Sequence, residues 1–558
     1  MEKTWLKEFE ADLNEWRPKW HANYDDTVPR TFEYPDKPLK YWFNQWAEKQ
    51  PDKPYMVIGD ITINYGTAND MSRRLANALL GLGVKKGDRV SIMAPNVPQY
   101  VISLNALLKI GAIEVPTNAL YTVHEMEEQI KDSGAETVIV MAMFANKAIE
   151  VMKKSGNPLK RVIAFQVASG PVQIEEGEGI YDFNKIIMAA RATEPDIEVK
   201  STDIARLQYT GGTTGVPKGC VLTNAMIFSQ AIRTSVWTTS NFTLVPKEEV
   251  RTLCAIPLNH VYGLNGNFSA CLYTGGTMVL VPMPMADQLL EAINRHKPTI
   301  WAAVPAMIIG LINHPKIKEA DVSSLKGIFS GSAPLAVETM KQFEELTGGR
   351  IFEGYGLSET VNILTVNPVF KMRKYGSCGI VWPDTDLVVV DVDTGTKVMK
   401  RGELGELICR GPQVIKEYWQ NRTETDLAIR DGWFYTGDIV RIDEDGFIFI
   451  VDRKKDMIIC SGFNVYPRDI DEVMYSHPKV KEACTIGIPD PKRGETPKVY
   501  IVLKEGETLT EDEVFAFCRQ KLTGYKVPTH VEFIDALPRT AVGKPDRKAL
   551  QAIHAGKK

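Results

Sequence analysis

The segment Tyr209-Thr210-Gly211-Gly212-Thr213-Thr214-Gly215-Val216-Pro217-Lys218-Gly219 concentrates the residue types that hold phosphate. Successive glycines let backbone N–H groups converge, the hydroxyls of Thr210, Thr213 and Thr214 add donors, and Lys218 adds charge, a set that suits an anionic triphosphate. It is not a Walker loop. Pro217 stands where a glycine would precede the lysine, and GCVLTN after it reads as a strand, so no helix dipole is enlisted. On composition alone the segment also suits a Gly/Thr hairpin with no ligand.

Other residues able to do chemistry are scattered, and each has an ordinary reading when taken singly. Asp438 reads as a turn residue, Lys544 as a solvated lysine, Tyr355 as a core aromatic, and His260 as a packed, hydrogen-bonded core histidine. Only their order along the chain can change those readings.

The elements that must carry them alternate. LKYWFNQWAEK is amphipathic, SRRLANALLGLGV is a helix closed by glycine, DRVSIMAP is a strand and PQYVISLNALLKIGA a helix. This is the rhythm of a parallel sheet with crossover helices. A second such block runs from about Thr252 to Val366, through TLCAIPL, a Gly-rich helix, TMVLVP, DQLLEAINRHK, TIWAAVPA, GIFSGS and RIFEGYG. From Asp386 short strands separated by turns (LVVVDVDTG, GELGELICRG, GWFYTGD, GFIFIVD) predict a small β-rich subdomain. The charge run Asp452-Arg453-Lys454-Lys455-Asp456 reads as a junction, after which α and β elements restart. The expected architecture is α/β: a large domain over 1–454, made of two βαβ-type subdomains and the β-rich one, then a small α+β domain over 455–558. Trp5, Phe9, Leu13 and Trp16 form a helical stripe before Pro18. Mixed charges flank it, so it is read as an arm packed on its own body rather than a membrane helix.

At the phosphate segment the sequence resembles the AMP-forming adenylating superfamily of acyl-CoA synthetases, amino-acid adenylation domains and beetle luciferases. The similarity recurs in order at Pro257-Leu258-Asn259-His260, Gly331-Ser332-Ala333-Pro334, Gly354-Tyr355-Gly356-Leu357-Ser358-Glu359-Thr360, Tyr435-Thr436-Gly437-Asp438, Asp452–Asp456 and Gly543-Lys544-Pro545-Asp546-Arg547. The resemblance implies that Glu359 holds Mg²⁺, and that Thr360 and the Thr213 and Thr214 hydroxyls contact phosphate. It implies that Lys544 reaches the carboxylate and the α-phosphate of ATP. Asp438 then accepts from the ribose hydroxyls with Arg453 nearby, and Tyr355 stacks on adenine against the Gly331–Pro334 turn. His260, Val261, Gly263, Leu264 and Asn265 fall to the acyl pocket, Lys455 to a hinge, and Ser461, Gly462 and Phe463 to a coenzyme A tunnel.

Three branches of that superfamily part on a few residues. Amino-acid adenylation domains carry an Asp after the position of His260 to pair with the α-amine. Here Val261 stands there, and an unpaired ammonium in an apolar site is costly. No carrier domain or phosphopantetheine serine is recognisable, so free coenzyme A is the expected acceptor. The wording of YTGGTTGVPKG, VDRKKDMIICSGFNVYP and LTGYKVP is most like bacterial fatty-acyl-CoA synthetases, which implies a medium or long fatty acid. Asn265 and Asn267 in the expected pocket wall, and Leu264 where some long-chain members have a gating Trp, leave a cyclic, aromatic or short acid as the alternative. From a different class, a non-catalytic nucleotide-binding protein stays open, although it would not require both Lys544 and Glu359.

Composition excludes several other classes. At 558 residues, 44% hydrophobic and 24% charged, the chain has ordinary globular makeup, and a net charge of −4 leaves no basic surface for a nucleic-acid backbone. The eight cysteines contain no C-x-x-C pair, which argues against zinc ribbons and disulfide frameworks and suits a reducing cytoplasm. They read mostly as small core residues. No signal peptide or membrane span is legible; peripheral membrane contact stays open.

Overall fold

The computed structural model describes residues 4–167, 174, 177–210, 218–332, 335–460, 463–540 and 545–556. The chain packs as two compact units, one of Pro18–Asp386 and Arg410–Phe434, the other of Met1–Arg17, Leu387–Cys409 and Tyr435–Lys558.

The first unit holds two large sheets. A seven-stranded sheet runs in the order Ile180–Asp182, Arg161–Phe165, Thr137–Met141, Arg89–Met93, Ile113–Pro116, Ile204–Thr210, Lys218–Thr223. All its neighbours are parallel except the last pair. A nine-stranded sheet has Thr277–Leu280, Arg251–Cys254, Ile300–Ala303, Gly327–Ser330 and Arg350–Tyr355 as its parallel centre. The expected helices cover them. Leu39–Lys49 buries Leu39, Phe43 and Ala47, one residue per turn on a single face. Pro98–Ile110 opens on proline and stops at Gly111, whose φ of 66° only glycine adopts cheaply. The helix Asn224–Thr238 has no apolar stripe in sequence, and it is buried on nearly every side.

In the second unit, strands Asp386–Val390, Gly405–Arg410, Trp433–Ile442 and Ile448–Arg453 form the expected β-rich sheet. The C-terminal sheet is built from Ile458–Cys460, Phe463–Val465, Val480–Asp490, Gly494–Leu503 and His530–Phe533, with helices Pro467–Tyr475, Glu511–Lys521 and Arg547–Gly556. The N-terminal helix, Thr4–Asn23, carries the stripe and runs on through Pro18. Its stripe is spent on the protein itself: Phe9, Leu13 and Trp16 are buried, Arg401 lies 4.0 Å from the Trp16 ring centre, and Asp12 pairs with Arg401 at 2.8 Å. All eight cysteines are buried and free of disulfides. Among the described residues no helix is long and apolar enough to cross a membrane.

Candidate active site

The phosphate segment joins two antiparallel strands, Ile204–Thr210 and Lys218–Thr223, with Thr210 opposite Lys218, so the stretch after the lysine is a strand as its sequence indicates. Gly211, Gly212, Thr213, Thr214 and Gly215 lie outside the described residues. The strand that delivers Thr210 is anchored by a buried polar network absent from the sequence reading. Arg206 Nη1 meets Glu114 Oε2 at 2.7 Å, with both side chains almost wholly inaccessible, and the Tyr100 hydroxyl donates to the other Glu114 oxygen at 2.6 Å. Two residues on, and on the same face of the strand, Gln208 accepts from Arg206 Nε at 2.8 Å.

The same two side chains hold the turn that carries His260. Arg206 Nη2 donates to the Leu258 carbonyl at 3.1 Å, and Gln208 Nε2 to the Asn259 carbonyl at 3.2 Å. Asn96 completes the clamp by accepting from the Leu258 N–H and donating to the Cys254 and Ile256 carbonyls. His260 is half-buried; its Nδ1 accepts from the Tyr262 N–H at 3.1 Å, which assigns the proton of a neutral ring to Nε2. The Tyr262 hydroxyl in turn donates to the Ala303 and Phe329 carbonyls at the ends of the central strands. Arg and Gln alternating with apolar residues in IARLQYT suggest a half-exposed strand. Their burial depends on Glu114, which lies in a different strand.

The residues assigned to the acyl pocket lie just after His260 in the chain. Leu264–Ser269 is a π-helical stretch, so its faces are rotated from ordinary helical spacing. Val261 is buried, Leu264 borders a small void beside Arg206 and Leu104, and a Cβ on Gly263 would strike the Pro257 carbonyl. Asn265 donates to Thr234 Oγ1 at 2.9 Å. A second cavity nearby is bordered by Tyr262, Gly266 and Ala270 of this stretch. Its other walls come from the helix Asn224–Thr238 and from Ile300, Ala302 and Phe329 of the sheet.

A second constellation gathers at Glu359, in the short turn Ser358–Thr360. Glu359 Oε1 accepts from the Tyr418 hydroxyl at 2.9 Å, and its backbone carbonyl accepts from the Ile415 N–H at 2.9 Å. Lys218 lies 5.5 Å from the Tyr418 ring centre and is ion-paired with Glu424. Cys220 bridges to Tyr418 through the backbone and also faces Glu359. Burial, reinforced by the Glu359 carboxylate, pushes the Tyr418 phenol far above its ordinary value, so it stays a donor. The motifs name Glu359 and Lys218, whereas Tyr418 and Glu424 belong to no motif and join them only through the fold. The Thr360 hydroxyl is buried and engaged with the Leu357 backbone, accepting from its N–H at 3.0 Å. Gly354 and Tyr355 end the strand Arg350–Tyr355, and a Cβ on Gly356 would overlap the Asn362 carbonyl, so only glycine fits there. Gly331 follows the strand Gly327–Ser330, and a Cβ on it would meet the Tyr262 ring at 3.4 Å. Ser332 has a φ of 72°; Ala333 and Pro334 lie outside the described residues.

In the second unit Asp438 and Arg453 face each other on antiparallel strands, with Arg453 Nε 2.8 Å from Asp438 Oδ1. Asp438 is 2% exposed, while the Arg453 side chain is 43% exposed and so presents the pair outward. Lys454 is tied to Glu406 at 2.9 Å and leaves Lys455 as the exposed residue of the run. Ser461, Gly462 and Lys544 lie outside the described residues. Phe463 opens the strand Phe463–Val465. Just past Lys544, Arg547 donates to the Thr485 carbonyl at 3.1 Å and pairs with Asp471 at 2.8 Å.

A glycine- and threonine-rich segment between two antiparallel strands and a lysine and a carboxylate on one tyrosine, in the first unit, and an Asp–Arg pair in the second, lie on the motifs that resemble adenylate-forming ligases. The chain belongs to the AMP-binding enzymes: that family's profile matches residues 43–419, and the profile of the AMP-binding enzyme C-terminal domain matches 469–544. The matches define a large N-terminal and a small C-terminal domain. The chain is 37% identical over 549 residues to a long-chain-fatty-acid–CoA ligase of Bacillus subtilis, covering 95% of this chain and 97% of that protein. It is 32% identical to 4-coumarate–CoA ligase 3 of Oryza sativa, covering 92% and 91%. Among solved structures it superposes on the anthranilate CoA ligase AuaEII in complex with anthranoyl-AMP with a TM-score of 0.82 at 27% identity, covering 94% of this chain and 98% of that one. It is an AMP-forming acyl-CoA synthetase type of chain, resembling the bacterial fatty-acid ligases.

Proposed function

We propose that the protein joins a fatty acid to coenzyme A in two steps. The acid's carboxylate attacks the α-phosphate of ATP, releasing pyrophosphate and leaving an acyl-adenylate. The thiol of coenzyme A then attacks the acyl carbon and AMP departs. The observation that carries the reading is the cluster of Lys218, Tyr418 and Glu359 beside the phosphate hairpin, in a chain alike over its whole length to CoA ligases. Attack of an anion on a polyanion needs cationic groups where the charges meet. Lys218 and Lys544 supply them, and Thr210, Thr213 and Thr214 with the loop N–H groups hold the phosphates.

One carboxylate beside a phosphate loop fits Mg²⁺, which is commonly held by one or two carboxylates together with substrate phosphates. Among the described residues no group of three His, Cys, Asp or Glu side chains could hold a metal unaided, so Glu359 would share the ion with the nucleotide. The ion would supply charge neutralisation at the phosphates. Asp438 and Arg453 take the ribose, Tyr355 the adenine, and His260 the carboxylate end of the acid. The segment 455–558 acts as the mobile domain that brings Lys544 for the first step and Ser461–Phe463 for the second, turning at Lys455.

The test is release of pyrophosphate and AMP on mixing ATP with a panel of straight-chain, aromatic and cyclohexane carboxylates, ranked by kcat/KM. A medium or long straight chain ranks first if the reading holds. An optimum at a ring acid moves the substrate class, and formation of ADP, or no reaction with any acid, rejects the ligase.

A further inference from the structure

The cavity beside Tyr262 and Gly266 is apolar in most of its lining, and its helix wall is less polar than its residue types suggest. Thr238 and Thr239 turn their hydroxyls back onto the Thr234 and Ser235 carbonyls at 2.8 and 2.7 Å, and Thr234 Oγ1 is occupied by Asn265. What these threonines offer the cavity is therefore chiefly methyl groups. Two lining residues break the pattern. Ser235 is 2% exposed and its hydroxyl has no hydrogen-bond partner in the protein; the buried Nδ2 of Asn362 has none either. A buried polar atom without a partner is costly, and native interiors keep few of them.

Resting on the ligase reading above, with the acid's chain in this cavity, we propose that the preferred substrate is an oxygenated fatty acid. Its chain carries a keto or hydroxyl oxygen that accepts from Ser235 or Asn362. A plain alkyl chain would cover both donors and return nothing, whereas an acceptor at the right depth pays back their desolvation. Asn362 Nδ2 can only donate and the Ser235 hydroxyl can donate as well as accept, so the one ligand group that satisfies either of them is an acceptor oxygen.

The experiment moves one keto oxygen along a saturated acid of fixed length and measures pyrophosphate release for each isomer against the parent acid. At one position kcat/KM is expected to exceed that of the parent by about tenfold, the worth of one well-made hydrogen bond. Ser235→Ala should bring that ratio toward one. Asn362→Asp, which replaces the donor with an acceptor and tolerates the φ of 93° at this position, should do the same if Asn362 is the partner. Using the ratio within each variant removes any general loss of activity or folded fraction. Preference for the parent acid over every isomer, or an oxygen preference that survives both substitutions, overturns the proposal alone and leaves the two donors to buried water. Silence with every acid overturns the ligase reading, and the proposal with it.

Discussion

The Tyr418 hydroxyl donates to Glu359 Oε1 at 2.9 Å while Lys218 Nζ lies 5.5 Å from the centre of the Tyr418 ring, so a single side chain touches both the carboxylate and the lysine. Tyr418→Phe keeps the ring and removes only the hydrogen bond to the carboxylate. A hydrogen bond to a charged group is worth about 1.5–3 kcal/mol, so kcat/KM for ATP should fall by about tenfold or more. The magnesium concentration for half-maximal adenylation should rise, whereas transfer from supplied acyl-adenylate to coenzyme A should change little. Equal losses in both half-reactions, with no change in magnesium dependence, would make Tyr418 a packing residue.

Arg206 and Glu114 form a buried ion pair whose members cannot be removed singly without leaving a charge unpaired in the core. Arg206→Met should lower the unfolding free energy by about 3–5 kcal/mol. Joining it to Glu114→Leu should recover much of that stability. The double variant should still show a raised KM for the acid, because the Leu258 carbonyl before His260 has lost its donor. Urea unfolding together with acid titrations checks both halves; a double variant with wild-type KM would separate the network from the His260 turn.

Burial pushes the Asp471 carboxyl up from 3.8 to about 6 although the Arg547 guanidinium opposes it, and the neighbouring Asp452 adds to the rise. With its folded value raised, its contribution to stability is fully present below pH 3.8 and is lost as the pH climbs through about 6. Measured against Asp471→Asn, the wild-type protein should lose up to about 3 kcal/mol of relative stability over that window. Parallel pH profiles for the two proteins between pH 4 and 7.5 would reject this assignment.

In the proposed two-step reaction Lys544 is assigned to the carboxylate during adenylation, yet coenzyme A needs the same carbonyl carbon afterwards. Lys544→Ala should cripple formation of the adenylate, through loss of a cation from the transition state, and spare thioester formation from supplied acyl-adenylate. Lys455→Pro restricts φ at the proposed hinge and should do the reverse. Assays of the two half-reactions on both variants settle the matter, and equal losses in the two steps for Lys544→Ala would count against alternation.

Periodicity and ordered motifs were enough to place most of the helices and strands in this chain, from Leu39–Lys49 to the β-rich sheet after Asp386, because an amphipathic face or a run of short strands between turns is written locally. The ordered motifs also single out Glu359, Lys218, Asp438 and Arg453, because the resemblance to adenylating enzymes attaches to short local stretches of sequence. Tertiary structure decided what local pattern cannot carry. The helix Asn224–Thr238 has no apolar stripe to announce it, and its polar side chains are absorbed by partners far along the chain, as when Arg233 donates to the Pro383 carbonyl at 2.7 Å. The π-helical turn at Leu264–Ser269 helped decide which residues border the cavity, Tyr262 and Gly266 among them. Arg206, Gln208 and Tyr418 gained their roles only through Glu114, the Leu258–Asn259 carbonyls and Glu359, contacts across 51 to 92 positions of sequence that exist only once the sheets are packed.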